Sequence, residues 1–473
     1  MSQLAIKKEQ FSFIDEYHIW SELSAAEQPD RVQVQEVLAK AREMKGLDTS
    51  EAAILLQNED KELDEVMFEV AREIKMAIYG NRIVLFAPLY VSNECGNSCA
   101  YCGFAARNKE LNRKTLNAEE IREEVEVLEE MGHKRLLLVY GERHDFNGER
   151  YAEDVQTVYS VKSGKSGEIR RVNVNLAPLD VENFKLLKEA GIGTYQCFQE
   201  TYHRATYEKV HLSGRKTDFL WRLYALHRAQ EAGIDDVAVG ALFGLFDYKF
   251  EVLGLLTHAK QLEKDFGVGP HTVSFPRIEP AMGAEMTYRP PGQVDDYSLK
   301  KIVAIIRIMM PYTGIILSTR EDAEFRKELL QLGVSQMSAG SRTYPGAYRD
   351  TRANLPDKQQ FTIGDTRPLD EVIFDLAKNL EYIPSFCTGC YRLGRTGDQF
   401  MGLAKAAFIN KFCRPNAMLT FKEYLIDYAS ARTKQAGEEL ISNQLKAIAD
   451  EAMRSPVEAR LKRIDEGERD LYF

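Results

Sequence analysis

From residue 82 to about residue 342 the chain alternates between two periods, and this rhythm limits its fold more than any other feature. Runs of β-branched and other apolar residues alternate with amphipathic stretches of helical period, and Gly, Asp or Asn closes each pair. Strands are predicted at 83–91, 135–141, 171–177, 194–201, 237–244, 271–277, 314–319 and 334–339. Helices are predicted between them at 118–131, 181–190, 218–232, 249–265, 299–310 and 322–332. Eight strands, each followed by a helical or irregular return, predict an α/β protein built on a parallel (β/α)8 barrel over residues 81–342. An open doubly wound sheet is the competing arrangement.

Residues 1–80 read as an N-terminal helical extension. Asp48-Thr-Ser-Glu provides a cap before an apolar stripe, and residues 63–78 keep helical spacing. Residues 343–473 form a C-terminal extension that is mostly helical. It opens with an irregular connection over 342–367, rich in Pro, Gly, Asp and Arg, followed by a helix at 370–380 and a charged helical tail from Phe421.

Several predicted strands carry polar residues two apart: Asn173 and Asn175, Gln199 and Thr201, Ser318 and Arg320, Gln336 and Ser338. Side chains two apart share one face of a strand. If that face points inward, the barrel encloses a polar lumen rather than layers of Val and Leu.

With 473 residues, 44% of them apolar, the chain can bury a large core. Its 62 basic and 72 acidic residues give a net charge of −10, which argues against nucleic acid or an anionic membrane as main partner. The N-terminal segment lacks the apolar core of a signal peptide, and no apolar run is long enough to span a bilayer. Seven cysteines, an odd number in tight clusters, fit reduced thiols in a cytoplasm better than a disulfide framework.

Six of those cysteines form two triplets. Cys95, Cys99 and Cys102 follow the first predicted strand as C-x3-C-x2-C, at the carboxyl end of the barrel, where active sites are built. Cys387, Cys390 and Cys413 lie in the C-terminal extension as C-x2-C-x22-C. Iron–sulfur clusters usually take four thiolates, so each triplet predicts a cluster with one iron left open. Structural zinc is the alternative for both, although the first triplet has no fourth Cys or His within thirty residues. A redox pair is a further alternative for Cys387 and Cys390. Cys197, inside the fourth strand, reads as a buried core residue.

The first triplet, with Tyr101 before its last cysteine, resembles the radical S-adenosylmethionine (SAM) superfamily. That resemblance implies a 4Fe–4S cluster whose open iron chelates the amino and carboxylate groups of SAM, and an electron that cleaves SAM to a 5′-deoxyadenosyl radical. Tyr140-Gly141-Glu142 resembles the family's GGE-type segment, which meets the SAM ammonium, with Tyr in place of the first Gly. Glu200 and Arg222 resemble ribose and carboxylate contacts. Plain surface charges are the alternatives for Glu142 and Arg222.

The second triplet, taken with the barrel, is similar to the HydG family of FeFe-hydrogenase maturases, which are radical SAM tyrosine lyases. Ala87–Glu94, Gln199–Tyr202, His271–Pro280 and Met337–Ser341 support the likeness. Most of these segments also resemble the 2-iminoacetate synthases of thiamine biosynthesis, which lack the C-terminal triplet. The HydG resemblance implies cleavage of the tyrosine Cα–Cβ bond to p-cresol and dehydroglycine, then CO and cyanide. It also implies an auxiliary 4Fe–4S cluster with a labile fifth iron. Free cysteine and that iron leave as an iron–CO–cyanide–cysteine precursor of the hydrogenase H-cluster. A cytoplasmic, anaerobic setting, a ferredoxin or flavodoxin reductant and other hydrogenase maturases as partners are the corresponding expectations. His271, at the start of the sixth strand, is the expected ligand of the fifth iron, with His258 its rival. Ser318, Arg320 and Ser341 are expected to hold the amino-acid substrate, with an ion-pair role the alternative for Arg320. A lyase that stops at dehydroglycine and a non-catalytic iron–sulfur scaffold are the competing functions.

Overall fold

Eight parallel strands pair in chain order and close on themselves. They are β1 (Arg82–Ser92), β2 (Arg135–Tyr140), β3 (Arg171–Asn175), β4 (Tyr195–Gln196), β5 (Val237–Gly240), β6 (Thr272–Ser274), β7 (Gly314–Leu317) and β8 (Gln336–Ser338). In this computed structural model, which describes residues 9–164, 166–350, 357–405 and 409–473, β1 pairs with both β8 and β2. Closure of that ring excludes the open sheet. All eleven residues of β1 are buried, as expected of a strand covered on both faces.

A ninth strand, β9 (Ile383–Ser385), was not predicted. It pairs with Arg82–Val84 of β1, below the point where β2 joins at Ala87↔Leu136. This pairing delivers the C-terminal cysteines to the amino end of the barrel. The helix Gly148–Ser160 was also not predicted; Asn147 caps it, its Oδ1 accepting from Arg150 N at 3.1 Å. The predicted helix 218–232 is two helices, Phe219–Leu223 and Ala225–Glu231, that meet at Tyr224.

Before the barrel come Glu16–Ala25, Arg31–Ala41, Thr49–Gln57 and Lys61–Tyr79, each capped by an Asp side chain. The cap at Asp48 is a full capping box with Glu51. Asp64 ties the last of these helices to the barrel's outer layer, accepting from Tyr297 Oη at 2.6 Å and pairing with Lys301 at 3.3 Å. After β9 the helix Asn410–Asp427 packs against it, and the helices Ala431–Lys446 and Glu451–Asp465 pack on that helix. Residues 351–356 of the predicted irregular connection lie outside the described residues. Among the described residues no helix is long and apolar enough to cross a membrane.

The lumen is polar, but one of the four predicted pairs is not in it. Asn175, Ser318, Arg320 and Ser338 line the upper cavity together with Gln196 and Ser274. Gln199 and Thr201 face outward instead: Thr201 Oγ1 binds Glu251 on the surrounding helix Tyr248–Phe266. Ordinary alternation explains this: Gln196, Phe198 and Glu200 share the inward face, so Gln199 and Thr201 take the outward one.

Candidate functional site

Cys95, Cys99 and Cys102 open together onto one cavity at the carboxyl end of the barrel. Their loop is held mainly by backbone contacts. Gly96 N donates to Glu142 O (2.9 Å), Ser98 N to Ser213 O (3.0 Å) and Ala100 N to Val210 O (2.8 Å). Arg113 clamps the loop from below, donating to the carbonyls of Asn93, Phe104, Ala105 and Asn108. Burial pushes the Cys95 thiol up to about 11 and the Cys99 thiol to about 12, so cluster assembly must displace protons from them.

A buried charge network faces the loop. Arg222 Nη1 meets Glu142 Oε1 at 2.5 Å, and its Nε donates to Phe198 O at 2.6 Å. Lys216 Nζ pairs with Glu200 Oε1 at 2.7 Å. Burial raises the Glu142 carboxyl, but Arg222 and Lys216 more than offset it and hold the group below its ordinary range. Arg222 and Glu142 are therefore not surface charges. Tyr101 lines the same cavity, and its hydroxyl lies 2.8 Å from His211 Nε2.

Arg320 enters the cavity from the far side, stacked 3.4 Å over Phe361. Its hydrogen-bond partner is a carbonyl, Arg277 O at 3.5 Å, and no described carboxylate lies within ion-pair distance. Ser318 lines the cavity beside it. Ser341 is buried just beyond β8 and is not part of the cavity wall; Thr343, two residues on, is. Three further wall residues escaped the sequence reading: Lys216, Gln360 and Phe361. Gln360 accepts from Tyr90 Oη at 2.8 Å and points its amide nitrogen at Cys102 Sγ, 3.8 Å away. It lies on an irregular segment with no period, so only its position in space identifies it.

The second triplet gathers at the opposite mouth. Cys387 sits two residues past β9 with φ +52°, and Cys390 and Cys413 are buried beside it. The Arg82 side chain, at the start of β1, hydrogen-bonds Cys413 and lies close to Cys387 and Cys390. Burial raises the thiols of Cys390 and Cys413, while the Arg82 charge opposes that rise. Tyr391, next in chain to Cys390, donates to Asp236, whose other oxygen is 3.6 Å from His271 Nδ1. Burial lowers His271 to about 4, which leaves its imidazole neutral at physiological pH. His258 is elsewhere: its Nδ1 lies 3.0 Å from Tyr202 Oη, and its ring packs against Phe13.

The donor chemistry at both mouths fits iron–sulfur clusters. The upper three thiols border one cavity, where N–H groups of Asn97 and Gln360 point at sulfur, and at the lower mouth the Arg82 guanidinium faces Cys413. Among the described residues no group of three Cys, His, Asp or Glu converges as a single metal ion requires. Cys197 is buried, as expected.

Comparison with known proteins agrees with this geometry. Residues 89–254 match the radical SAM superfamily, and residues 274–380 match the biotin and thiamin synthesis associated domain, a match that runs across residue 342. A crystal structure of HydG, a maturase of the FeFe-hydrogenase, is 50% identical with a TM-score of 0.93, covering 98% of this chain and all of that one. HydG from Carboxydothermus hydrogenoformans is 42% identical with a TM-score of 0.81, over 98% of this chain and 99% of that one. The 2-iminoacetate synthase of Salmonella typhimurium is 34% identical over 305 residues, 64% of this chain and 77% of that protein.

Proposed function

The chain belongs to the HydG branch of the radical SAM superfamily, and from that premise we propose that it cleaves L-tyrosine and converts part of it into CO and cyanide. Membership implies a 4Fe–4S cluster and SAM. When bound, these supply a 5′-deoxyadenosyl radical for hydrogen abstraction from the tyrosine amino group; the Cα–Cβ bond then breaks to dehydroglycine and a hydroxybenzyl radical, which an electron from the reductant and a proton convert to p-cresol.

The chain's own residues bind, orient and exclude water. Cys95, Cys99 and Cys102 hold three irons. Tyr101, Glu142, Glu200 and Arg222, with Lys216, receive SAM in the charged wall of the cavity. Arg222 acts there chiefly by fixing Glu142, since its own fork is already engaged. Arg320 and Ser318 hold the tyrosine carboxylate; a half-buried guanidinium that faces the cavity and has no described ion-pair partner suits that task. Phe86, Leu137, Val139 and Ile316 keep the rest of the cavity apolar.

At the lower mouth Cys387, Cys390 and Cys413 would hold an auxiliary 4Fe–4S cluster, and His271 the labile fifth iron that captures CO and cyanide. Free cysteine completes the precursor, and a ferredoxin or flavodoxin and other hydrogenase maturases are the proposed protein partners. One observation carries the choice over a 2-iminoacetate synthase: three cysteines meet around Arg82, at the barrel mouth opposite the Cys95–Cys102 loop. The similarity to HydG also takes in 98% of the chain, against 64% for the synthase.

Anaerobic reconstitution with tyrosine, SAM and dithionite tests the proposal. Cresol together with CO trapped by deoxyhaemoglobin is the expected result. Cresol without CO makes the chain a lyase that stops at dehydroglycine, and no deoxyadenosine makes it a scaffold.

A further inference from the structure

Two opposite charges in the wall of the upper cavity lack partners. Three carboxylates border that cavity, Glu142, Glu200 and Glu279, and three cations, Lys216, Arg222 and Arg320. Glu142 is held by Arg222 and Asn97, and Glu200 by Lys216. Glu279 is half-buried and has neither a hydrogen bond nor an ion pair among the described residues. The charged groups that face it are Glu321, Arg320 and Arg277. Arg277 is committed elsewhere, to Glu321 at 2.6 Å and Asp296 at 2.7 Å. Arg320 has only the carbonyl of Arg277 as a hydrogen-bond partner.

The backbone keeps Glu279 and Arg320 near each other without letting them pair. Beyond β6 the chain runs beside the continuation of β5, with Phe243 N donating to Pro276 O (2.8 Å) and Ile278 N to Phe243 O (2.9 Å). Alternation turns Pro276 and Ile278 to the cavity and Arg277 away from it, toward Glu321. Pro280, next after Glu279, accepts from Thr362 N at 3.0 Å. That bond ties Glu279 to the segment whose Phe361 ring lies 3.4 Å from the Arg320 guanidinium. A carboxylate and a guanidinium withdrawn from water and left unpaired are each costly. A ligand that carries both opposite charges on one carbon satisfies the two at once.

We propose that Glu279 receives the α-ammonium of the tyrosine zwitterion and takes one proton from it. The inference rests on the tyrosine reading of this cavity, in which Arg320 holds the carboxylate. Hydrogen abstraction from the amino group needs a neutral nitrogen, whereas at neutral pH the free amino acid is chiefly an ammonium ion. One proton passes from that nitrogen to a carboxylate oxygen of Glu279. The nitrogen keeps the electron pair of the broken bond, and total charge is unchanged. A neutral amine and a neutral carboxylic acid remain, hydrogen-bonded to each other. Glu279 returns the proton to solvent once the products have left. Burial and the nearby Glu321 raise its carboxyl above the ordinary range, against the pull of Arg320 and Arg277, which suits it to accept.

The test compares the parent with Glu279→Gln by anaerobic calorimetric titration of the reconstituted, SAM-loaded holoprotein. The probes are L-tyrosine and 3-(4-hydroxyphenyl)propanoate, which keeps the carboxylate and the phenol but has no amino group. Tyrosine affinity should fall about tenfold or more in the variant, while affinity for the amine-free acid should not fall. A pH profile of kcat/KM for deoxyadenosine formation reads the proton separately. In Glu279→Gln it should rise about tenfold from pH 7 to pH 8, as solution supplies the neutral amine, and in the parent it should stay nearly flat. Glu279→Asp keeps an acceptor on a shorter arm, so a lower rate with a flat profile is expected even if the glutamine variant folds poorly. Equal loss of affinity for both probes, or for SAM, overturns the assignment. So does a glutamine variant with the parent's flat profile. A parent that binds tyrosine yet releases no cresol refutes the lyase reading instead, and the two probes still decide on Glu279.

Discussion

Asn97, between the first two cysteines of the upper loop, donates from Nδ2 to Glu142 Oε2 at 2.7 Å. Its own Oδ1 accepts from Lys216 N at 2.9 Å. One side chain therefore couples the cysteine loop to the exit of β2 and to the segment that carries Lys216. The metal site and the charged wall are consequently set by the same contacts, and a change in either should be felt in both.

Gly141→Ala tests how tight that coupling is. A Cβ at Gly141 would lie 2.3 Å from Glu94 O and 3.2 Å from Cys95 Cβ, so the backbone of the cysteine loop has to move. The variant should lose about four of eight irons on reconstitution, all from the upper site. Full iron content with unaltered SAM binding would show that the close approach is incidental.

Arg320→Gln addresses the substrate. The KM for tyrosine should rise about tenfold to a hundredfold, as expected when a charged hydrogen bond worth about 1.5–3 kcal/mol is removed. The dissociation constant of SAM should not move, because Arg320 stands across the cavity from Glu142 and Arg222. Equal loss of SAM and tyrosine affinity would make the residue a general support of the cavity.

The α/β layering was legible because apolar strands alternate with amphipathic helices; the choice of a barrel over an open doubly wound sheet needed the pairing of β1 with β8. Local details were not legible. Which face of Gln199-Glu200-Thr201 turns inward follows from the register of β4 with β3 and β5, and nothing in those three residues announces it. The helix Gly148–Ser160 begins on a glycine among mixed charges, where period gives a weak signal. Each cysteine triplet could be read from spacing, since metal ligands recur at short intervals. Lys216, Gln360 and Glu279 could not, because their significance comes from neighbours distant in sequence. Sequence alone favoured His271 over His258 by its place at the start of a strand; in the fold His271 lies beside Asp236 and His258 against Phe13.

Asp365→Asn should destabilise the protein by about 3–5 kcal/mol, the cost of leaving buried cations without their counter-ion. Asp365 is 2% exposed and pairs with Arg326, which is 1% exposed, and with Arg367. Burial raises its carboxyl, yet the hydrogen bonds from Arg367 and the charge of Arg326 outweigh that and hold it low. The pair pins the segment that carries Gln360 over the cavity, so the urea midpoint and SAM affinity should fall together. A fall in stability alone would separate the anchor from the site.

Cys387→Ser and Cys390→Ser should leave p-cresol formation within about twofold of the parent while CO release drops below detection. The two mouths belong to different chain segments, and β9 holds the lower one without touching the upper loop. Parallel loss of cresol and CO from a folded variant would mean that the lower cysteines also serve the cleavage step.

His133 makes the acid limb of stability a direct readout of burial. It is fully buried with both ring nitrogens unpartnered, and burial lowers its pKa to about 3. Unfolded, the same imidazole titrates near 6.5, so between those values the unfolded chain binds a proton that the folded chain refuses. Stability is therefore kept above about pH 6.5 and lost as pH falls, by about 1.4 kcal/mol per pH unit for this group. His211, lowered to about 2, and His258, also lowered by burial, add to the loss with the same sign. Urea unfolding at pH 7 and pH 5 should show His133→Leu losing about 2 kcal/mol less than the parent across that interval. An identical loss in both proteins would falsify the assignment of a neutral, proton-excluding His133.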